Sequence, residues 1–319
     1  MKHIVLKAIA CFLCFSSCNN LQEDLSDFSS DEELLPIQFR VDLQQEVLPF
    51  PKTKTMPQLD IPEPTAKGQE GENVPSVPDA PPETFYKQID YLVYKKGISN
   101  ELIKHKCFKL GDPDFSIIYD SLPRGDYHFC FLAHSDENIS IQEETAEFQK
   151  VSDTFHLYLT QTIQPGEKLI KNISLRRIIS KIEFVATDIV TNDLSKFKID
   201  VQGYQNKIDL TTGLGISDNI SYSSTYLFRQ EDYGKINFTH SLFTFVPANN
   251  IGLNVNLLAS NKKGENTRSR EITDIQVQQN HIIRYTGQLY IPPKSNDTFT
   301  IDIVNEGNWA GTTNNNLAD

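Results

Sequence analysis

The chain has 319 residues, with Lys+Arg 30 against Asp+Glu 42 and a formal net charge of −12. That balance excludes a nucleic-acid binder, which needs a basic surface to answer the phosphate backbone. A hydrophobic fraction of 39% can build a core, and after the N-terminus no apolar run of about 20 residues is long enough to span a bilayer as a helix.

Residues 1–17 read as an export signal. Lys2, His3 and Lys7 make a basic start, and Ile4 to Phe15 is an apolar run of signal-peptide length. Phe15-Ser16-Ser17-Cys18 follows, and small residues directly before a cysteine resemble the lipobox of bacterial lipoproteins. That resemblance implies cleavage before Cys18 and acylation of its thiol, with the acyl chains holding the protein on the outer membrane. An ordinary cleaved signal with an incidental Cys18 is the alternative. Residues 18–35 form an acidic tether carrying Glu23, Asp24, Asp27, Asp31, Glu32 and Glu33. It is similar to the stretch that sends lipoproteins of Bacteroides-type bacteria to the cell surface.

The first strand candidate is Pro36–Leu43, where Ile37, Phe39, Val41 and Leu43 alternate with polar residues. Nine of the 16 prolines then fall in residues 49–82 without apolar periodicity, so 49–83 reads as an extended linker or insertion. From Phe85 onward short runs rich in Val, Ile, Phe, Tyr and Thr are split by turn residues. They are Ile89–Tyr94, Leu102–Leu110, Phe115–Tyr119, Tyr127–Ala133, Thr154–Thr160, Lys168–Leu175 and Ile178–Ala186. Phe197–Val201, Thr225–Phe228, Leu242–Val246, Leu253–Ala259, Ile272–Val277, Ile282–Tyr290 and Phe299–Val304 continue the series. No segment keeps a 3.6-residue period. So many strands exceed the roughly seven to nine of one sandwich. The expectation is an all-β chain of two tandem β-sandwiches, at 36–172 and 173–319.

Within this frame, Pro123 and Gly125 predict a tight turn, with glycine accepting positive φ. Tyr127, Phe129 and Phe131 then share one strand face, and His128, Cys130 and Leu132 the other. His105 and Cys107, like His128 and Cys130, lie two apart on one face, with His134 near. Zinc takes such N/S sets, but tight Cys-x-x-Cys turns are absent. A disulfide between Cys107 and Cys130 is the more expected reading in an oxidising compartment. No Gly-x-Ser-x-Gly, Cys/His signature or phosphate loop occurs, and Asp297, Asp302 and Glu306 read as strand-face carboxylates. No catalytic, metal or cofactor residues are assigned.

Several stretches together resemble the fimbrillin superfamily, the major and minor fimbrial proteins of Bacteroides-type bacteria. They are Ile89–Tyr94, Leu122–Ala133 with its Leu-Pro-x-Gly-x-Tyr-x-Phe hairpin, Leu175–Phe184 as the opening strand of a second domain, and Asn280–Tyr290 as a late hairpin. The resemblance spans about residues 36–309. It implies Greek-key, transthyretin-like sandwiches and a cell-surface, non-enzymatic fimbrial subunit supporting adhesion. It further implies joining to other fimbrial subunits by strand complementation, with a host or bacterial surface ligand. Stalk subunits of that family are cut after an arginine or lysine near the first strand. Here Arg40 lies inside the strand candidate, which favours an anchor or tip role, while Lys52 and Lys54 keep a stalk role open. The expected donor strand is Thr298–Val304, with Phe299, Ile301 and Ile303 on one face. The runner-up function is a surface glycan-binding lipoprotein of a polysaccharide-uptake system, which aromatic platforms on a sandwich face would support; with Trp309 the lone tryptophan it ranks second.

Overall fold

The computed structural model describes residues 23–24, 33–44, 85–217, 220–292, 309 and 311–316. Cys18, the proline-rich segment 49–83 and the donor candidate Phe299, Ile301 and Ile303 lie outside the described residues.

The first ten strands are β1 (Glu23–Asp24), β2 (Leu35–Leu43), β3 (Gln88–Lys95), β4 (Glu101–Lys109), β5 (Ile117–Leu122), β6 (Gly125–His134), β7 (Ile139–Gln142), β8 (Thr145–Phe148), β9 (Phe155–Ile163) and β10 (Leu169–Arg177). The remainder are β11 (Ile179–Ala186), β12 (Leu194–Tyr204), β13 (Lys207–Asp209), β14 (Leu214–Gly215), β15 (Ile220–Leu227), β16 (Phe238–Phe245), β17 (Leu253–Asn261), β18 (Asn266–Ile275), β19 (His281–Gly287) and β20 (Gly311–Asn316). Among the described residues the only helix is a 3-10 turn at Gln230–Asp232. The all-β expectation holds.

The first sandwich is one ribbon folded over itself, in the order β1-β4-β3-β6-β9-β10-β2-β5. Strand β10 makes the fold-over: Arg176 and Arg177 pair with β9, while Leu169–Leu175 run parallel to β2. Alternation then points Phe39 of β2 across the core at Tyr91, Phe129 and Phe131, with ring centroids 6.2, 5.0 and 5.0 Å away. Each such ring, fully buried, contributes about 1.5–3 kcal/mol. The rim where β4 meets β5 is closed by charge: Asp120 accepts from Lys104 Nζ at 2.8 Å, Lys106 Nζ at 3.3 Å and Tyr91 Oη at 3.0 Å. Inward-pointing charges of this kind discourage edge-to-edge aggregation.

The second sandwich packs sheet β16-β11-β19-β20 against sheet β15-β12-β17-β18. A fourth sheet, β7-β8-β13-β14, takes two strands from each side, with β8 and β13 paired through Ala146 and Ile208. One apolar cluster therefore runs from the second sandwich into the first, joining Leu92, Cys130, Leu132 and Phe148 to Ile182, Phe184 and Leu210.

Some expectations need correction. Leu122–Ala133 is not a hairpin: β5 pairs with β2, whereas β6 pairs with β3 and β9, so Pro123-Arg124 carries the chain between sheets. Asn280–Tyr290 is not a hairpin either, because β19 runs parallel to β11. A break at 172/173 would cut β10, which belongs whole to the first sandwich; the chain crosses at Ile178. Gly125 does not take positive φ. Glycine fits there because a Cβ would lie 3.2 Å from the Tyr127 ring. That ring lies back over the turn so that Tyr127 Oη donates to Pro123 O at 3.1 Å, a tyrosine-corner arrangement.

Tyr127→Phe leaves the buried Pro123 carbonyl without this donor. The expected loss is about 1–3 kcal/mol in denaturant unfolding, at an unchanged m-value. A neutral substitution would show that the tyrosine contributes only its ring.

Candidate functional site

Strand β3 is buried on both faces from Gln88 to Tyr94. Ile89, Tyr91 and Val93 enter the first core, while Leu92 and Tyr94 enter the second. Asp90 shares the second face and is fully buried. Its carboxylate accepts from His105 Nε2 on β4 and His134 Nε2 on β6, each at 2.7 Å. Burial alone would raise this carboxyl, but the two imidazole hydrogen bonds outweigh it and hold it at about 2.

The expected His/Cys constellation does reach one sheet face, since Leu92 pairs with both His105 and Cys130, and Asp90 with Cys107. It is not a metal centre. His105 and His134 are spent on Asp90, His128 Nδ1 lies 2.8 Å from Thr160 Oγ1, and Cys130 Sγ contacts Leu210 O at 4.0 Å. Among the described residues no group of His, Cys, Asp and Glu is placed to hold a metal ion. The Cys107–Cys130 disulfide is also corrected: the two are not joined. Strand β3 lies between them, and two strand spacings of about 4.8 Å exceed the roughly 7 Å Cα limit of a disulfide. Burial pushes the Cys130 thiol well up, which leaves it inert.

His156 crosses to the second sandwich, its Nε2 donating to Leu210 O at 2.7 Å. Its Nδ1 is buried without a partner. Burial therefore lowers its pKa to about 4, despite the Leu210 hydrogen bond. Nearby, Arg177 closes the seam between sandwiches. It grips Asp153 with Nε and Nη2 at 2.7 and 2.9 Å and donates from Nη1 to Asn280 Oδ1 at 3.1 Å. Its guanidinium also lies 4.8 Å from the Phe155 ring and 4.2 Å from the Trp309 ring.

Trp309 thus lies against Arg177 and parallel to Phe243, at 6.5 Å and 4°. It is half-buried. Two residues on, β20 runs parallel to β19 at the edge of its sheet. The strand is Gly-Thr-Thr-Asn-Asn-Asn, with no apolar residue. It buries Thr312 and Asn314, yet Thr312 Oγ1 and Asn314 Nδ2 have no hydrogen-bond partner.

Asp90, Arg177 and β20 escaped the sequence reading. A signal existed for Asp90, a lone acid inside an apolar run, since a buried carboxylate must find donors. The Asn-rich tail carried none.

The family model described as fimbrillin-A associated anchor proteins Mfa1 and Mfa2 matches residues 84–316. No curated protein sequence matches. Among solved structures, a candidate adhesin from Bacteroides ovatus is 9% identical, covering 83% of this chain and 94% of that one at a TM-score of 0.45. The fimbrial anchor protein Mfa2 from Porphyromonas gingivalis is 10% identical, covering 75% and 83%, at 0.39. The tip fimbrial protein Mfa3 from the same organism, with a C-terminal truncation, is 13% identical, covering 59% and 76%, at 0.34.

A pH test follows from His156. Unfolded, the imidazole takes a proton below about 6.5; folded, it stays neutral down to about 4. Its contribution is therefore present above pH 6.5 and is lost as pH falls through that window. His156→Gln keeps a donor for Leu210 O but cannot titrate. Between pH 6.5 and 5 the wild type should lose up to about 1.4 kcal/mol per pH unit more than the variant, by denaturant unfolding. Parallel curves would contradict this.

Proposed function

The chain belongs to the family of fimbrillin-A-associated anchor proteins Mfa1 and Mfa2, and from this premise we propose that it is a surface-exposed lipoprotein of the outer membrane serving as an anchor or accessory/tip subunit of a fimbrium. The role is structural rather than catalytic. Lipid on Cys18 holds the mature chain, the acidic tether 18–35 directs it outward, and strand complementation joins it to other subunits in support of adhesion.

The observation that carries this reading is the family match across nearly all described residues from β3 to β20. The architecture is consistent with it. Strand complementation needs a sandwich whose edge can exchange a strand, with backbone hydrogen bonds giving affinity and alternate side chains giving specificity. Strand β20 forms such an edge, and Thr298–Val304 just before it has the alternation of a donor. Arg40 within β2 is an awkward place for a maturation cut, which favours an anchor or tip over a stalk subunit.

Cys18→Ala is expected to move the protein from the membrane to the soluble fraction and to abolish incorporation of labelled palmitate. Cells carrying it should show fewer attached surface filaments by electron microscopy. A variant that stays membrane-bound, in a strain whose wild-type protein takes up no palmitate, would overturn the anchoring. Unchanged filaments in cells lacking the protein would overturn the fimbrial role.

A further inference from the structure

Strands β4 and β5 flank the one side of the first sandwich that no backbone ladder closes. Among the described residues β4 pairs with β1 and β3, and β5 with β2 alone. A polar cluster fills that gap. Asp120 lies on the core-facing side of β5, between Ile118 and Leu122, both fully buried. Lys104 and Lys106 stand two apart on β4, opposite Val93 and Tyr91 of the same core. The side chains of Lys104 and Asp120 are only 7% and 3% exposed. Taking both charges out of water offsets much of their attraction, so apolar residues of similar size would serve this core at least as well. Retention of a simple ion pair for stability alone is therefore a weak account of the cluster.

The contacts are those an acyl transfer requires. Lys104 Nζ lies 2.8 Å from Asp120 Oδ1, and Lys106 Nζ lies 3.3 Å from the same oxygen. Tyr91 Oη donates to the other oxygen, Oδ2, at 3.0 Å. Burial, and then the charge of Asp120, hold this phenol well above its ordinary pKa, so Tyr91 keeps its proton. A lysine removed from water beside a second cation is an activated nucleophile. A fixed donor at a carboxyl oxygen stabilises the charge that develops there.

We propose that Lys104 and Asp120 join as an intramolecular amide, formed by the chain itself, which ties β4 to β5. Lys104 first passes one proton along its hydrogen bond to Oδ1, giving a free amine and a carboxylic acid. The amine lone pair forms the Nζ–Cγ bond, and the carbonyl pair moves onto Oδ2, where Tyr91 donates. Lys106 relays a second proton from the nitrogen to Oδ1. The Cγ–Oδ1 bond breaks, Oδ1 leaves as water, and Oδ2 becomes the amide oxygen. One ammonium and one carboxylate thus give one amide and one water, with no oxidant or other reactant. The product removes two buried charges and closes the ribbon β4-β3-β6-β9-β10-β2-β5 on itself. It also makes Lys104 to Asp120 a covalent loop, which restricts the unfolded chain as a disulfide does.

Peptide mapping tests the bond. The full chain is purified from cells, denatured, digested with trypsin and analysed by mass spectrometry. The expected product is Gly97–Lys106, uncut after Lys104, joined to Leu110–Arg124 and one water lighter than the two peptides together. Fragmentation should place the branch at Lys104 and Asp120. Lys104→Arg keeps a cation facing Asp120 but has no amine to acylate. That variant should fold with an unchanged circular dichroism spectrum, release Leu110–Arg124 as a linear peptide, and melt at a lower temperature than the wild type. A linear Leu110–Arg124 from the wild type overturns the proposal, as does a branch at Lys106. Loss of water without a branch marks a succinimide at Asp120 and overturns it too. Should Lys104→Arg fail to fold, the wild-type peptide map alone decides.

Discussion

The whole molecule turns on one strand, β3, that has no solvent face from Gln88 to Tyr94. In an ordinary sandwich the outer side of each sheet is wet and polar residues there need no partners. Here the outer side of β3 and of the Cys130–His134 half of β6 is covered by the second sandwich and by the sheet that β8 and β13 build together, while Asp126, Thr160 and Thr162 at the other end stay exposed. Leu92, Tyr94, Cys130 and Leu132 meet the requirement by being apolar. Asp90, His134 and His156 meet it by hydrogen bonds drawn from neighbouring strands or from the other sandwich. These polar pairs are few and directional, so they fix the docking geometry, while His134 Nδ1 and His156 Nδ1 are left buried without partners.

That arrangement ties the two sandwiches together. Two sandwiches joined by a flexible linker would swing, while two that share a buried sheet move as a unit. Arg177 completes the join, since its one guanidinium touches Asp153 in the first sandwich, Asn280 in the second and Trp309 before the C-terminal strand. The free energy of the molecule is thus concentrated at its centre. Its rims differ: one is locked by Asp120 and two lysines, and the other is covered by a strand of threonine and asparagine.

Much of this was legible from residue order. Alternation places Tyr127, Phe129 and Phe131 inward and Cys130 and Leu132 on the opposite face, as found. Spacing puts His105, Cys107, His128, Cys130 and His134 on one face, but it is silent on the strand between them. The interposed β3 turns an expected disulfide or ligand set into a carboxylate held by two imidazoles. Parallel pairing was the main blind spot. Strands β10 and β2, β11 and β19, and β19 and β20 all pair over long or folded-over connections, which periodicity cannot report. Strands β7, β8 and β20 were missed because their own propensities are weak and their pairing comes from tertiary neighbours.

Hydrogen exchange measured strand by strand tests the shared sheet most directly. If one buried sheet serves both sandwiches, the amides of β3 and β6 in the first and β11 and β12 in the second open only with global unfolding. They should then report the same free energy, with the same denaturant dependence. A lower opening free energy confined to one sandwich, leaving the other fully protected, would show that the two are independent domains and would contradict this account.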